Sequence, residues 1–168
     1  MMNIVYRKAQ IKDLDKIETL IRNAIYEMES HNIMQWDDLY PVKEDFEQDI
    51  KKKHLYVGCI DNEIAVVFAL NQEFDDAYND GKWKALENSF FVIHRLCVNP
   101  KYQNRGIAIN TMKFIEKTLM DEGIEAIRLD VYSENTYALK LYNMWGFINV
   151  GKAEWRKGTF YLMEKILI

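Results

Sequence analysis

Cys97-Val98-Asn99-Pro100-Lys101-Tyr102-Gln103-Asn104-Arg105-Gly106-Ile107-Ala108 is the stretch on which the fold of this chain turns. The apolar run before it, Phe90 to Val98, reads as a strand, and Asn99-Pro100 stops it, because proline has no N–H to give a ladder. A short polar loop follows. Gly106 then opens a helix in which Ile107, Thr111, Ile115 and Leu119 recur on one face. A strand, a polar glycine-bearing loop and a helix start aim unpaired backbone N–H groups at a common point, where an anion is favoured. The helix dipole and the fixed charge of Arg105 add to that preference. Glycine at position 106 lets a phosphate approach the backbone with no side chain in the way.

Gln103-x-x-Gly106-x-Ala108 resembles the Q/R-x-x-G-x-G/A signature of the GCN5-related N-acetyltransferase (GNAT) superfamily, whose loop grips the pyrophosphate of acetyl-CoA. Downstream, Asn135-x-x-Ala138-x-x-x-Tyr142-x-x-x-Gly146-Phe147 resembles the asparagine-to-tyrosine helix of the same family and the glycine-aromatic turn after it. The two matches stand in the family's order and spacing, within residues 92 to 147. The resemblance implies an α/β (α+β) fold: a mixed, mostly antiparallel sheet with a splayed parallel strand pair and helices on both faces. It implies acetyl-CoA as co-substrate, no metal, and direct acetyl transfer to a primary amine of a small molecule in a ternary complex. It assigns the donor to the strand Leu96, Cys97 and Val98, to the loop Gln103, Asn104, Arg105, Gly106, Ile107 and Ala108, and to Asn135, Ala138 and Tyr142. It leaves room for a homodimer.

Composition is compatible with this. A chain of 168 residues, 49% hydrophobic and 29% charged, suits one domain, taken as 1–168, with a sizeable core. No apolar run is long enough to span a membrane, and the first residues lack the order of a secretion signal. The two cysteines, Cys59 and Cys97, lie in apolar strand-like runs without CxxC spacing, which suits a reducing, cytoplasmic setting. A formal net charge of −4 argues against nucleic acid as a partner.

The remaining elements follow from periodicity. Ile4 to Arg7 is a short strand. Asp13 can cap a helix with Leu14, Ile17, Leu20, Ile21, Ala24, Ile25 and Met28 on one face, ending near Ser30-His31-Asn32. An aromatic loop from Met34 to Pro41 leads to a more polar helix, Val42 to Lys53. Leu55 to Ile60 and Ile64 to Leu70 form a hairpin about Asp61-Asn62-Glu63. An acidic tail, Asn71 to Asn88, is interrupted by Trp83. The helix after Gly106 stops at Gly123. Ala126 to Tyr132 is a strand with Ile127, Leu129 and Val131 on one face and Arg128, Asp130 and Tyr132 on the other. A helix from Asn135 to Trp145 and strands Phe147 to Gly151 and Thr159 to Ile166 close the chain. The strands ending at Val98 and beginning at Ala126 must be parallel, since a helix separates them.

Candidate chemistry concentrates on three kinds of residue. Tyr142 can give a proton or hydrogen bond to the sulfur that leaves when an amine attacks a thioester; its spacing with Leu139 and Phe147 also suits a core aromatic. For the base, the glutamate of histone-type relatives is replaced by Val92, while arylalkylamine-type relatives carry a histidine where His94 stands. Strand alternation predicts that His94 shares a face with Leu96 and Val98 and that Cys97 faces away, so no cysteine nucleophile is needed. Asp130 is a second candidate base, as an ionised carboxylate on such a strand needs a partner or solvent. Asn135 can cap its helix, touch the pantetheine, or do both. The resemblance places Trp36, Tyr40 and Glu73 in the amine pocket. A non-catalytic acyl-CoA sensor or a protein or peptide N-acetyltransferase are the alternatives, whereas a P-loop is disfavoured because Gly106 is not followed by Lys-Ser/Thr.

Overall fold

The computed structural model describes residues 2–85 and 87–167. In chain order the elements are β1 (Val5–Lys8), α1 (Leu14–Ser30), α2 (Lys43–Lys51), β2 (Leu55–Ile60), β3 (Glu63–Asn71), β4 (Phe90–Val98), α3 (Ile107–Asp121), β5 (Ala126–Tyr132), α4 (Thr136–Trp145), β6 (Ile148–Trp155) and β7 (Gly158–Ile166). The seven strands form one sheet in the order β1-β2-β3-β4-β5-β7-β6. Every neighbouring pair is antiparallel except β4 and β5, as a helical crossover demands. Among the described residues no helix is long and apolar enough to cross a membrane.

Each face of the sheet is covered by the helices whose apolar stripes the sequence predicts. Ile107, Ile115 and Leu119 of α3 pack with Ile127, Leu129 and Val131 of β5, and Tyr142 of α4 joins them. On the other face Ile17, Leu20 and Ile21 of α1 and Phe46 and Ile50 of α2 meet Leu55, Val57 and Val67. Each such side chain taken wholly out of water contributes about 1.5–3 kcal/mol. Thr111, fully buried on the α3 stripe, satisfies its hydroxyl on the Ile107 carbonyl at 2.8 Å and meets the Tyr6 hydroxyl at 3.0 Å.

Four local expectations change. Asp13 stands at the start of α1 without capping it; its carboxylate turns back to the Gln10 N–H at 2.7 Å and pairs with Arg7 at 2.7 and 2.9 Å. The β2–β3 turn is two residues long, Asp61-Asn62, both at positive φ, with Glu63 already paired to Ile60. The strand expected to end at Gly151 runs on to Trp155, because β7 is long enough to pair with all of it.

The fourth correction concerns β4. Val67 pairs with Cys97 and Ala69 with His94, so two steps on β3 match three on β4. The surplus residue is Arg95, at φ +52°. The bulge reverses the alternation: Ile93, not His94, joins the face that Leu96 and Val98 pack on. Cys97 faces away from them, into the α1–α2 layer, as expected. The β4–β5 pairing covers only Phe90–Val92 against Ala126–Arg128, and beyond it the two parallel strands separate.

The acidic stretch between β3 and β4 is not a loose tail. Its 3-10 turn, Asp76–Asp80, lies against the β6–β7 end of the sheet, with Tyr78 packed among Phe90, Val92 and Leu162. The segment is pinned by a buried ion pair, Arg128 Nε to Glu164 Oε2 at 3.3 Å. Glu164 also accepts the Lys84 and Ala85 N–H groups at 2.7 and 3.2 Å. Arg128 Nη2 donates to the Ala85 carbonyl at 2.9 Å, and its guanidinium lies 3.7 Å from the Phe90 ring centre and 4.4 Å from that of Trp83. Burial lowers the Arg128 pKa despite Glu164, so the pair is more a locator than a net source of stability. Glu164→Ala would strand the Arg128 charge and two N–H donors. Equilibrium denaturation should register a loss of about 3–5 kcal/mol, and an unchanged midpoint would contradict this account of the segment.

Candidate active site

Where β4 and β5 part, two cavities open and meet. The first, about 570 Å³, runs between α1 and the loop that precedes α3. Gln103, Asn104, Gly106 and Ala108 line one end of it, and Leu96, Cys97 and Val98 line its floor. Gly106 is at φ +75°, and a Cβ built there would meet nothing within 4 Å, so that end is open as well as left-handed. The Ile107, Ala108 and Ile109 N–H groups lie in the first turn of a 15-residue helix, where no intrahelical acceptor exists. Loop, dipole and groove thus fit an extended ligand with an anionic head and an amide-bearing arm. Arg105 is exposed and lies 5.8 Å from the Tyr102 ring centre, beside the groove rather than lining it.

The second cavity, about 430 Å³, lies at the far side of the splay. Gln35, Trp36, Leu96, Asn135, Ala138 and Tyr142 line both cavities and so mark where they join. Asn135 caps α4, its Oδ1 accepting the Ala138 N–H at 3.1 Å, while its Nδ2 donates to Gln35 Oε1 at 2.8 Å. Tyr142 is buried with its ring edge-on to Phe147, at 5.5 Å between centres, so packing and cavity lining coexist in one residue. Burial raises its pKa, with a lesser push from Asp130, so the hydroxyl keeps its proton.

The segment from Ile33 to Pro41 straps across this junction. Besides Gln35 on Asn135, Asp37 takes Arg156 at 2.7 and 2.9 Å and Lys157 at 3.3 Å. These contacts hold the Asp37 carboxyl well below the usual range, the Arg156 hydrogen bond most of all. The Tyr40 hydroxyl accepts Arg95 Nη1 at 3.0 Å, and Arg95 Nε and Nη2 reach Asp49 Oδ2 at 2.9 and 2.5 Å.

Two further titratable groups line the second cavity. His94 Nε2 lies 2.8 Å from Asn71 Oδ1 and 3.0 Å from the Glu73 carbonyl. Asn71 Oδ1 already accepts the Glu73 N–H at 2.9 Å, so it is an acceptor, Nε2 carries the ring's proton and Nδ1 is the basic atom. Burial first, and the Arg95 charge second, push the His94 pKa down to about 4, so the ring is neutral at pH 7. Asp130 accepts the Tyr78 hydroxyl at 2.6 Å, and burial raises its pKa, with Asp75 adding to the rise. The Cys97 thiol is pushed up to about 12 by burial, which removes it as a nucleophile.

Of the residues expected around an acceptor, Trp36, Tyr40 and His94 do line the second cavity. Glu73 does not: its carboxylate pairs with Lys52 at 2.9 Å and is half exposed. The second cavity also gathers Asp75 and Tyr78 from the acidic stretch, Arg95 from the bulge, and Trp155, Arg156 and Phe160 from the last hairpin. The only signal for Tyr78 was an aromatic set among acids.

The family model described as Acetyltransferase (GNAT) family matches residues 21–147. A curated relative, the chloroplastic GCN5-related N-acetyltransferase 6 of Arabidopsis thaliana, is 30% identical over 79 residues, which is 46% of this chain and only 27% of the plant protein. A Staphylococcus aureus Mu50 crystal structure described as an acetyltransferase superposes with a TM-score of 0.78 at 29% identity, over 98% of this chain and 99% of the other. A GNAT-family acetyltransferase from Streptococcus agalactiae has the same fold, with a TM-score of 0.83 at 23% identity over 99% and 98%. So does the PaiA N-acetyltransferase of Thermoplasma acidophilum solved with coenzyme A, with a TM-score of 0.72 at 18% identity over 98% and 99%. With its helix-opening glycine loop, its splayed parallel strands and a family match over residues 21–147, this chain belongs to the GNAT family of acetyltransferases.

Proposed function

We propose that the protein transfers the acetyl group of acetyl-CoA directly to the primary amine of a small molecule, with donor and acceptor bound together. The observation that carries this reading is the position of Tyr142, on the wall shared by a groove suited to the donor and a separate cavity suited to an acceptor. The donor supplies an acyl thioester. The N–H groups from Gln103 to Ala108 hold its pyrophosphate, and the strand groups of Leu96 and Val98, freed by the splay, pair with its pantetheine arm. In the transfer a C–S bond breaks and a C–N bond forms; an acceptor that arrives as an ammonium sheds two protons from nitrogen, one ending on the sulfur and the other leaving to solvent. Tyr142, kept protonated by burial, gives a proton or hydrogen bond to the departing sulfur. His94, neutral with Nδ1 free, accepts the amine's proton and passes it on, since its low pKa prevents it from holding it. A sensor that only binds acyl-CoA would have no use for the second cavity.

Three measurements test this reading. Saturating CoA or acetyl-CoA should raise the melting temperature, since a ligand at 100 times its dissociation constant adds about 2.7 kcal/mol. Gly106→Glu, which places a like charge and a side chain in the open end of the groove, should abolish that shift while the protein stays folded. Calorimetry giving the same acetyl-CoA affinity in the variant would refute the loop as anchor. Tyr142→Phe keeps the ring and its edge-on contact with Phe147. Donor affinity should therefore hold while the single-turnover rate falls roughly 10²–10⁴-fold. An unaltered rate would leave Tyr142 a packing residue.

The third concerns pH. The folded-state pKa of His94 is depressed, so its neutral ring favours folding fully above the ordinary value of 6.5, and that stability is lost as pH falls toward about 4. Wild type and His94→Gln should differ in stability at pH 7 by an amount that shrinks by roughly 2–3 kcal/mol by pH 4. A gap constant across that window would mean that His94 is not held neutral.

A further inference from the structure

The charges around the second cavity do not balance. Three cations lie on or at it: Arg95, Arg156 and Lys157. All three are already committed, Arg95 to Asp49, and Arg156 with Lys157 to Asp37. Asp75 and Asp130 also line the cavity, and neither forms an ion pair among the described residues. Four carboxylates against three cations leave one negative charge. The three cations lie 2.5–3.3 Å from the other carboxylates, so that surplus falls toward Asp130 and Asp75. Asp75 spends one oxygen on the Ala77 N–H at 2.9 Å, at the start of the 3-10 turn. Asp130 is held by a neutral donor, the Tyr78 hydroxyl at 2.6 Å, which orients it without cancelling its charge. Trp36, Tyr40, Trp155 and Phe160 line the same cavity, and aromatic walls favour a cation and an apolar body. A volume of about 430 Å³ is within the range of small-molecule sites.

We infer that Asp130, oriented by Tyr78, seats the ammonium of the acceptor, and that the acceptor is a small monocationic primary amine with an apolar body and no carboxylate. This rests on the acetyltransferase reading and deepens it. A monocation cancels the surplus charge, whereas an amino acid brings a carboxylate for which no uncommitted cation waits among the described residues lining the cavity, and a buried unpaired charge is costly. The amine enters as the ammonium it is at neutral pH; once seated it loses one proton by way of His94 to solvent, and the second as the C–N bond forms and the sulfur is protonated. Asp130 thereby serves recognition at some expense to folding, since burial raises its pKa and its ionised form is disfavoured in the fold.

The test uses a matched set: phenethylamine, phenylalanine and a tetrapeptide with a free N-terminus, each with the full chain and saturating acetyl-CoA, read by thiol release and by mass spectrometry of the product. Phenethylamine should exceed phenylalanine in kcat/KM by about 100-fold, the scale expected when a charge is buried unpaired. Asp130→Asn should melt no lower than wild type and keep the CoA-induced shift. It should lose about 30–100-fold in kcat/KM for phenethylamine, mainly through KM. Tyr78→Phe should lose several-fold, as it removes only the orienting hydrogen bond. Phenylalanine or the peptide matching phenethylamine would overturn the acceptor assignment and leave acetyl transfer standing. So would an Asp130→Asn enzyme with unchanged KM. If Asp130→Asn folds poorly, the substrate comparison in wild type still decides. A CoA-induced shift with no turnover of any acceptor would overturn direct transfer to amines and this assignment with it. Absence of the CoA shift itself would overturn the acetyltransferase reading, and the acceptor assignment that rests on it would fall too.

Discussion

Arg95 sits at φ +52° in the middle of a strand, and much of the site's geometry follows from that one residue. A side chain other than glycine in this region costs roughly 1–2 kcal/mol, and it persists only where the surroundings over-determine it. Here they do. The guanidinium is largely buried, with 14% of its side chain exposed, and is held by Asp49 of α2 and by the Tyr40 hydroxyl. Charge-assisted hydrogen bonds of this kind exceed the backbone strain in magnitude. The bulge turns Ile93 onto the face of Leu96 and Val98 and sends His94 to the other. The β4–β5 ladder ends at Val92, just before the bulge, and both cavities open beyond it.

This constraint also explains what could be read from the chain and what could not. The strands Phe90–Val98 and Ala126–Tyr132, the stripe Ile107-Thr111-Ile115-Leu119 and the left-handed glycines 106 and 123 follow from alternation, period and local turn chemistry. The glycine-opened start of α3 and the asparagine-capped α4 were legible for the same reason, since the residues that shape them lie within a few positions of one another. A bulge at an arginine carries no such local mark. Its stability comes from Asp49 and Tyr40, which are 46 and 55 residues away. Alternation therefore failed for His94, and for a physical reason. The packing of the acidic stretch had no local mark either. Its order comes from Arg128 and Glu164 on neighbouring strands, and nothing in its own composition announces a packed segment.

The cations of the second cavity are spent on architecture. Arg95 fastens α2 and the strap to the bulge, while Arg156 and Lys157 fasten the strap to the last hairpin. The Arg95–Asp49 pair is buried, so removing one member would strand the other at greater cost than the pair returns, whereas the half-exposed Arg156 mainly positions the strap. That use of positive charge has a chemical consequence. The carboxylates left over are the ones facing the cavity, and the electrostatic character of the space results from how the walls are held.

Asn135 connects this wall to the proposed chemistry. Its carbonyl oxygen closes the first turn of α4, and its amide nitrogen holds Gln35 of the strap. The helix it caps carries Tyr142 two turns on, with a glycine at φ +98° and Phe147 ending the element behind it. A shift of the strap therefore pulls on the N-terminus of the helix that positions the tyrosine. The strap over the second cavity and the helix that carries Tyr142 share one anchor, because a single asparagine side chain can both accept and donate. Replacing it by a serine or aspartate would preserve the cap and lose the tie. In this arrangement the asparagine is required for its second hydrogen bond and not for helix formation, which several other residues could serve.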